Sequence, residues 1–286
     1  MKLDTERARL PRWMKAQLPT GKNYSRIKNL IQQNNLNTIC TSGNCPNKGE
    51  CWSAGTATFM ILGEKCTRAC SFCDVSYLKP DEVDWEEPRR LAETIRLLEL
   101  KHAVITSVAR DDLMDGGAQF WATTVKEIKK LNPGTTMEIL IPDFNRGHHV
   151  LDQIIGAGPE VISHNIETVS RLTHSIRSMA RYQRSIDLLS YVASKGVVAK
   201  SGIMLGLGET EQEVHQAMDD LVKAGVKVFT IGQYLSPSEK HLQVKEYLPP
   251  EIFENYKKAG LEKGFSIVES SPLVRSSYHA ERHVNA

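Results

Sequence analysis

What the chain lacks narrows its class first. None of its 286 residues belong to an unbroken apolar run of membrane-spanning length, and its opening, MKLDTERARLPRW, is charged from the start. A bilayer-crossing helix needs about 20 largely apolar residues, and a secretory signal needs an apolar core. The expectation is a cytoplasmic protein with no membrane partner. Charge of a single sign is also missing, since 36 basic and 34 acidic side chains leave +2. A chain so balanced offers no electrostatic footprint for nucleic acid. The basic side chains gathered near the N-terminus (Arg7, Arg9, Arg12, Lys15, Lys22, Arg26 and Lys28) read as solvated surface. A G-x-x-x-x-G-K-[ST] phosphate loop is absent, which argues against nucleoside triphosphate hydrolysis. Internal repeats and low-complexity tracts are absent too.

Cysteine is missing from everything after residue 73, and the six present are Cys40, Cys45, Cys51, Cys66, Cys70 and Cys73. A disulfide framework belongs to small secreted domains, so clustered thiols in a long chain without a secretion signal point to metal.

The rest of the chain alternates between two periodicities. Short β-type runs at 56–63, 102–109, 136–142, 160–167, 197–206 and 226–235 are separated by amphipathic stretches such as 87–101 and 170–196. Strands alternating with helices at this spacing predict βα units and a parallel sheet buried by helices. Six units are fewer than the eight of a closed barrel. The expected fold is therefore α/β, a partial (βα)6 TIM-like barrel, with an open doubly wound sheet as the alternative. The expected division is an N-terminal extension over 1–55, the barrel over 56–240 and a C-terminal extension over 241–286. A helix is expected around Tyr24 to Asn34, another over YLPPEIFENYKKAGLEKG, and a short strand in the tail.

The second cysteine triplet, CTRACSFC, spaces its thiols C-x3-C-x2-C directly after the first β-run. It therefore occupies a loop at a strand's C-terminal end, the face on which α/β folds build sites. A closed 4Fe–4S cluster takes four thiolates. Three leave one iron open to a chelating amine and carboxylate, which S-adenosylmethionine carries. An electron from such a cluster cleaves the sulfonium and generates a 5′-deoxyadenosyl radical. A structural zinc site is the alternative, and it usually wants a fourth ligand. The first triplet, CTSGNCPNKGEC, has C-x4-C-x5-C spacing, with Gly, Asn and Pro to make the turns. It reads as a second, independent three-thiol centre, or as a zinc knuckle completed by His102 or another distant histidine.

The C-x3-C-x2-C spacing and the aromatic Phe72 resemble the signature of the radical S-adenosylmethionine superfamily. That resemblance implies a partial (βα)6 barrel and a glycine-rich strand end approaching the cofactor, for which GIMLGLGE (Gly202, Gly206, Glu209) is the match. Both triplets together, their CPN and ECW flanks, VARDDLMDGG, HNIETV and RSSY at 275–278 resemble the lipoyl synthase family from about Leu10 to Ala280. The resemblance implies two 4Fe–4S clusters. One, on Cys66, Cys70 and Cys73, generates the radical from S-adenosyl-L-methionine. The other, on Cys40, Cys45 and Cys51, is broken down to supply sulfur. The family completes the latter with a serine oxygen from RSSY, mapped to Ser277 with Ser276 as the alternative. The implied reaction inserts sulfur at C6 and C8 of a protein-bound octanoyl-lysine. The implied partners are octanoylated lipoyl-carrier domains (the glycine cleavage H protein, acyltransferase subunits of 2-oxo-acid dehydrogenases) and an electron donor such as flavodoxin or ferredoxin.

Other residues carry two readings. Arg110, Asp111, Asp112 and Asp115 follow the second strand, where they hold cofactor or substrate, or cap the next helix. Asn165 and Glu167 share one side of an extended strand and become cofactor-contact candidates through the resemblance. Arg171 joins that set, although it and Arg177 also suit a helix surface. His148 and His149 read as a surface turn. Among alternatives, RNA methylthiolation and biotin-type sulfur insertion keep the radical chemistry but lack a use for the early triplet and RSSY. A non-catalytic iron–sulfur or zinc module is the non-enzyme alternative, and six cysteines cannot close two four-thiolate clusters.

Overall fold

The computed structural model describes residues 11–14 and 22–286, so Arg7, Arg9 and Lys15 lie outside the described residues. In chain order the first elements are α1 (Lys22–Gln33), β1 (Asn37–Thr38), α2 (Ile39–Ser42) and α3 (Lys48–Ser53). Then come β2 (Thr58–Ile61), the short β3 (Lys65–Cys66) and β4 (Ser76–Tyr77), α4 (Glu87–Leu98), β5 (His102–Ser107) and α5 (Ala118–Leu131). The second half holds β6 (Thr136–Leu140), α6 (His149–Ile155), β7 (Val161–Ser163), α7 (Ser170–Ile176), α8 (Tyr182–Ser194) and β8 (Val198–Leu205). It ends with α9 (Glu211–Lys223), β9 (Val228–Gln233), α10 (Pro250–Lys263) and β10 (Ile267–Ser270).

Six of these strands, β2, β5, β6, β7, β8 and β9, are neighbours in that order and run parallel. They are the six expected β-runs. Every residue of β9 and nearly every residue of β8 is buried, as parallel strands covered on both faces must be. The sheet is open. At one edge β1 pairs antiparallel with β2, and at the other β10 pairs parallel with β9. The second edge is the short strand expected in the tail, whereas nothing in the periodicity announces β1, which is only two residues long.

The helical expectation at 170–196 breaks into two. Between α7 and α8 the chain leaves helical geometry at Arg177, whose guanidinium turns inward to donate to the carbonyls of Asn165 and Ile166, both at 3.1 Å. Arg177 is buried, so its surface-helix reading is corrected by an interior carbonyl pair. Elsewhere the ends follow local chemistry. Thr210 and Glu213 form a reciprocal capping box on α9, and Pro250 opens α10, which closes at left-handed Gly264. The N-terminal helices do not build a core of their own: Ile27, Ile31 and Trp52 pack into the same apolar cluster as Phe59, Leu91 and Ile105. No described helix is long and apolar enough to cross a membrane.

Two charges sit inside this apolar frame. Glu138 on β6 and Lys200 on β8 are fully buried and pair at 2.6 Å. The chain after β10 returns to them, and its terminal 3-10 turn (Ala280–Asn285) lies against β5 and β6.

Candidate functional site

The second triplet leaves the sheet through a strained turn. Leu62, at the end of β2, and Gly63 both adopt positive φ. The Leu62 N–H donates to the buried Glu87 carboxyl at 2.9 Å. From there the cysteine loop is tied down on three sides. Thr67 bonds the backbone of Ala109 and the Asp111 carboxylate at 2.7 Å. Ser71 donates to the Ile176 carbonyl at the end of α7. Leu242 donates to Ser71, and His241 Nε2 lies 3.2 Å from the Cys73 carbonyl. The loop's guanidinium, Arg68, forms a fork onto Asp111 (2.7 and 2.8 Å) and reaches Asp143 at 2.6 Å. Burial opposes ionisation of Asp111, but Arg68 and Thr67 outweigh it and hold the carboxyl below its usual range.

Cys66, Cys70 and Cys73 line a cavity of about 350 Å3. The Cys66 sulfur accepts N–H groups from Arg68 (3.4 Å) and Ala109 (3.3 Å). Burial pushes the Cys73 thiol up to about 12 and raises Cys70, the charge of Arg177 opposing it at Cys70. Thiols so placed are protonated on their own and become ligands when a metal displaces the proton. Among the described residues no three His, Cys, Asp or Glu side chains stand close enough to hold a single ion. Three soft thiols on one cavity match the donor chemistry of an iron–sulfur cluster, whose irons each take a single thiolate.

Asn165, Glu167, Arg177 and Gly202 line the same cavity. Asn165 and Glu167 lie beyond the end of β7 rather than in an extended strand. Glu167 has φ +65 and a single bridge to Ile203 on β8. Burial raises the Glu167 carboxyl above its usual range, with the charge of Arg177 opposing. Gly202 is required by close approach, since a Cβ there would stand 2.5 Å from Thr230 Oγ1 and 2.9 Å from Asn165 Oδ1.

Several sequence candidates are not brought into this cavity. Arg110 forms a bidentate pair with Asp112 at 2.9 Å and bonds the Asp81 carbonyl, so its guanidinium serves the loop. Asp111 is committed to Arg68 and Thr67, as above. Arg171 is exposed and pairs with Glu213 and the Gly208 carbonyl, answering to the surface reading. Gly206, at φ +90, is pressed against Gln233 and the Glu246 backbone on a different cavity. Asp115 caps α5, accepting from Gly117 and Gln119. His148 stacks on Tyr191.

The first triplet is built differently. Cys40 is in α2, Cys51 in α3, and Cys45 between them, all lining a cavity of about 620 Å3. Burial and the neighbouring Cys40 and Cys45 push the Cys51 thiol up to about 12, and burial raises Cys40. Ser277 lines the same cavity and Ser276 does not. The Ser276 hydroxyl accepts from Asn165 Nδ2 at 2.5 Å, and its carbonyl accepts from Lys200 Nζ at 2.5 Å. His102 also lines this cavity, with Nδ1 on Thr136 and a buried Nε2 lacking a partner. Two further bonds join the triplet to the tail: Asn47 Nδ2 donates to the Leu273 carbonyl at 2.7 Å, and Tyr278 donates to Glu50 at 3.2 Å. Cys40, Cys45, Arg275 and Ser277 line both cavities, which therefore adjoin.

Sequence reasoning missed Arg68, Glu138 and Lys200. The signal for the last two was present, as each places a charge within a run otherwise fit for a buried strand, and buried charges occur paired. Burial resists ionisation of Glu138, but the Lys200 ammonium prevails and holds its carboxyl below the usual range.

Comparison with known proteins agrees with this architecture. The family model described as the radical SAM superfamily matches residues 60–221, and the one described as the N-terminal domain of lipoyl synthase matches residues 1–45. A lipoyl synthase of Christiangramia forsetii is 56% identical over 286 residues, covering 100% of this chain and 98% of its own. A mitochondrial lipoyl synthase of Nematostella vectensis is 57% identical over 96% of this chain and 95% of its own. Among solved structures, Streptococcus suis SuiB bound to S-adenosylmethionine superposes with a TM-score of 0.61 over 75% of this chain and 50% of that one, at 12% identity. Methylornithine synthase does so at 0.57 over 74% and 70%, at 15% identity. These two likenesses concern the fold. Radical SAM enzymes use a 4Fe–4S cluster with S-adenosylmethionine, and lipoyl synthases carry two such clusters. A superfamily match over more than half of the chain, joined to relatives more than half identical along nearly all of it, makes this chain a member of the lipoyl synthase family, radical SAM enzymes that insert sulfur.

Proposed function

We propose that Cys66, Cys70 and Cys73 hold the S-adenosylmethionine-binding cluster, and that Cys40, Cys45, Cys51 and Ser277 hold the auxiliary one. When bound, the first cluster supplies an electron for reductive cleavage of S-adenosylmethionine and the second supplies sulfide. The observation that carries the reading is the shared wall, since Cys40, Cys45 and Ser277 face the cavity that the other triplet lines. A substrate chain entering that space meets the hydrogen-abstracting side and the sulfur-donating side without leaving the protein.

The chain's own residues divide the work. Glu167 and Arg177 present opposite charges to one cavity, matching the amine and carboxylate of the methionine end. Burial raises the Glu167 carboxyl, so its ionisation is favoured by an arriving cation. Asn165 has a buried Oδ1 without a partner, facing the same cavity as an acceptor for a ligand donor. Arg68 holds the cysteine loop at fixed depth through Asp111 and Asp143. Apolar side chains such as Met60, Leu140 and Ile203 line the space in which an alkyl chain excludes water. Ser277 is favoured over Ser276 because both polar groups of Ser276 are already engaged. An alkoxide is a harder donor than thiolate, which suits a cluster that must lose iron and sulfide.

The substrate in this reading is an octanoyl-lysine on a lipoyl-carrier domain such as the glycine cleavage H protein or the acyltransferase subunits of 2-oxo-acid dehydrogenases. A flavodoxin or ferredoxin delivers the electrons, and the compartment is the cytoplasm. The division into residues 1–55, 56–240 and 241–286 describes ligand supply. The two flanking parts furnish the auxiliary donors, and the middle furnishes the barrel. Incubation with an octanoyl-lysine peptide, S-adenosylmethionine and dithionite should yield, by mass spectrometry, a product carrying two added sulfurs. Unchanged peptide alongside normal 5′-deoxyadenosine release would discard the substrate. Ser277→Ala should change the Mössbauer spectrum of the auxiliary centre while His102→Ala leaves it intact, and the reverse result would transfer the fourth-donor role to His102.

A further inference from the structure

We propose that Lys200, backed by Glu138 and His283, is a positioning residue that holds the C-terminal segment inside the barrel so that Ser277 stays aimed at the auxiliary thiols whether or not a cluster is present. The inference rests on the cluster assignment above and adds the device that keeps the fourth-donor position formed.

A lysine ammonium has three protons and no acceptor. Lys200 Nζ has three acceptor groups around it: the Glu138 carboxylate at 2.6 Å, the Ser276 carbonyl at 2.5 Å and His283 Nδ1 at 3.0 Å. The ammonium is thus saturated. One acceptor belongs to the sheet and two belong to the tail, on either side of Ser277. Because Lys200 only donates, His283 Nδ1 must accept, which places that ring's proton on Nε2. Glu138, Lys200 and His283 are all fully buried, so water cannot replace the missing partner when one bond is lost.

Peptide planarity gives the arrangement its consequence. The Ser276 carbonyl and the Ser277 N–H share one rigid plane. Anchoring that oxygen on Lys200 sets the plane from which the Ser277 side chain leaves, and the Asn165 bond to the Ser276 hydroxyl sets the opposite side. With Ser276 held twice, Ser277 is left to face the thiol cavity. None of these bonds involves a cysteine. The position therefore persists through cluster loss, and a rebuilt cluster meets a donor already in place.

Single substitution strands a buried charge and risks misfolding. The decisive variant is Glu138→Leu with Lys200→Met, which removes both charges at similar volume, and His283→Ala is a milder companion. The anaerobically reconstituted full-length protein is assayed for iron, acid-labile sulfide, the Mössbauer signature of the auxiliary centre and 5′-deoxyadenosine release. Hydrogen exchange of the cluster-free chain is followed over 271–283. The double variant should bind its auxiliary cluster more weakly by roughly 10-fold or more, with the radical cluster and 5′-deoxyadenosine release kept. The tail should exchange faster even without metal. An auxiliary centre and tail protection equal to wild type would overturn the proposal, and so would equal loss of both clusters, which marks a general core role. If the wild-type chain itself lacks a second cluster, the cluster assignment fails, independently of the variant.

Discussion

The two thiol triplets make a controlled comparison, for the same three-cysteine chemistry is mounted in opposite ways. Cys66, Cys70 and Cys73 come from one short stretch of chain, tied to the turn after β5, the end of α7 and the 240s segment. Cys40 and Cys51 sit on two short helices outside the parallel sheet with Cys45 in the link between them, and groups from the far end of the chain line the same cavity. A site made locally is as stable as its loop. A site assembled from both ends of a sequence depends on whatever holds those ends together, and here that is a handful of buried polar bonds. The loop-built site suits a permanent cofactor, and the end-built one suits a centre that is taken apart.

The sharpest way to break this contrast is to remove one thiol on each side. Cys66→Ala should abolish 5′-deoxyadenosine release and product together, followed by chromatography. Cys45→Ala should leave 5′-deoxyadenosine intact and eliminate sulfur transfer. Equal effects would mean that the triplets do not divide the labour. Gly232→Ala is the next largest. The carbonyl of Val274 lies directly over Gly232, so an added Cβ has a backbone atom to displace. It should loosen the tail, lower auxiliary iron content and spare the radical side. On the loop-built side, Arg68→Met should cost about 3–5 kcal/mol in denaturant unfolding, because it leaves the buried Asp143 and the half-buried Asp111 short of a partner. Arg184 softens the loss at Asp143, which it also contacts at 3.1 Å.

The smallest effect is one of pH. Burial raises the Glu87 carboxyl from its ordinary 4.5 to about 7. The folded chain therefore binds this proton more tightly than the unfolded one does. Its contribution is complete below pH 4.5 and is lost as pH climbs through about 7, up to about 3 kcal/mol in all. Glu87→Gln, which keeps an acceptor for the Leu62 N–H, should flatten that decline in pH-dependent melting. Persistence of the slope in the variant would show that another group sets it.

Much of the loop-built half was legible in the sequence. Six β-runs and their order can be read from periodicity, and the C-x3-C-x2-C spacing marks its own loop, because all of its determinants are close in sequence. The end-built half was less so. Both serines of RSSY look alike in a string of letters; in the fold Asn165 and Lys200 engage Ser276, while Ser277 lines the first triplet's cavity. Asp111 and Arg110 have the right residue types at the right strand end, yet nearby Arg68 and Asp112 claim them first. Arg177 looks like a helix-surface cation until the helix is seen to stop there. Polar pairing decides each of these cases, from two residues away for Arg110 to more than a hundred for Ser276, and residue type alone does not encode it.

One feature of the sheet reaches further than the chemistry. Its two margins are β1 and β10, and the chain runs from β1 straight into Cys40 and from β10 into the serine pair. A cluster gripped from both margins would act as a rivet across the gap of an unfinished ring. Stripping it for sulfur would leave that seam to Asn47 and Leu273, Glu50 and Tyr278, and the Lys200 ammonium. Each round of synthesis would then spend part of the molecule's own fastening, and those remaining bonds would carry the seam until the metal is replaced.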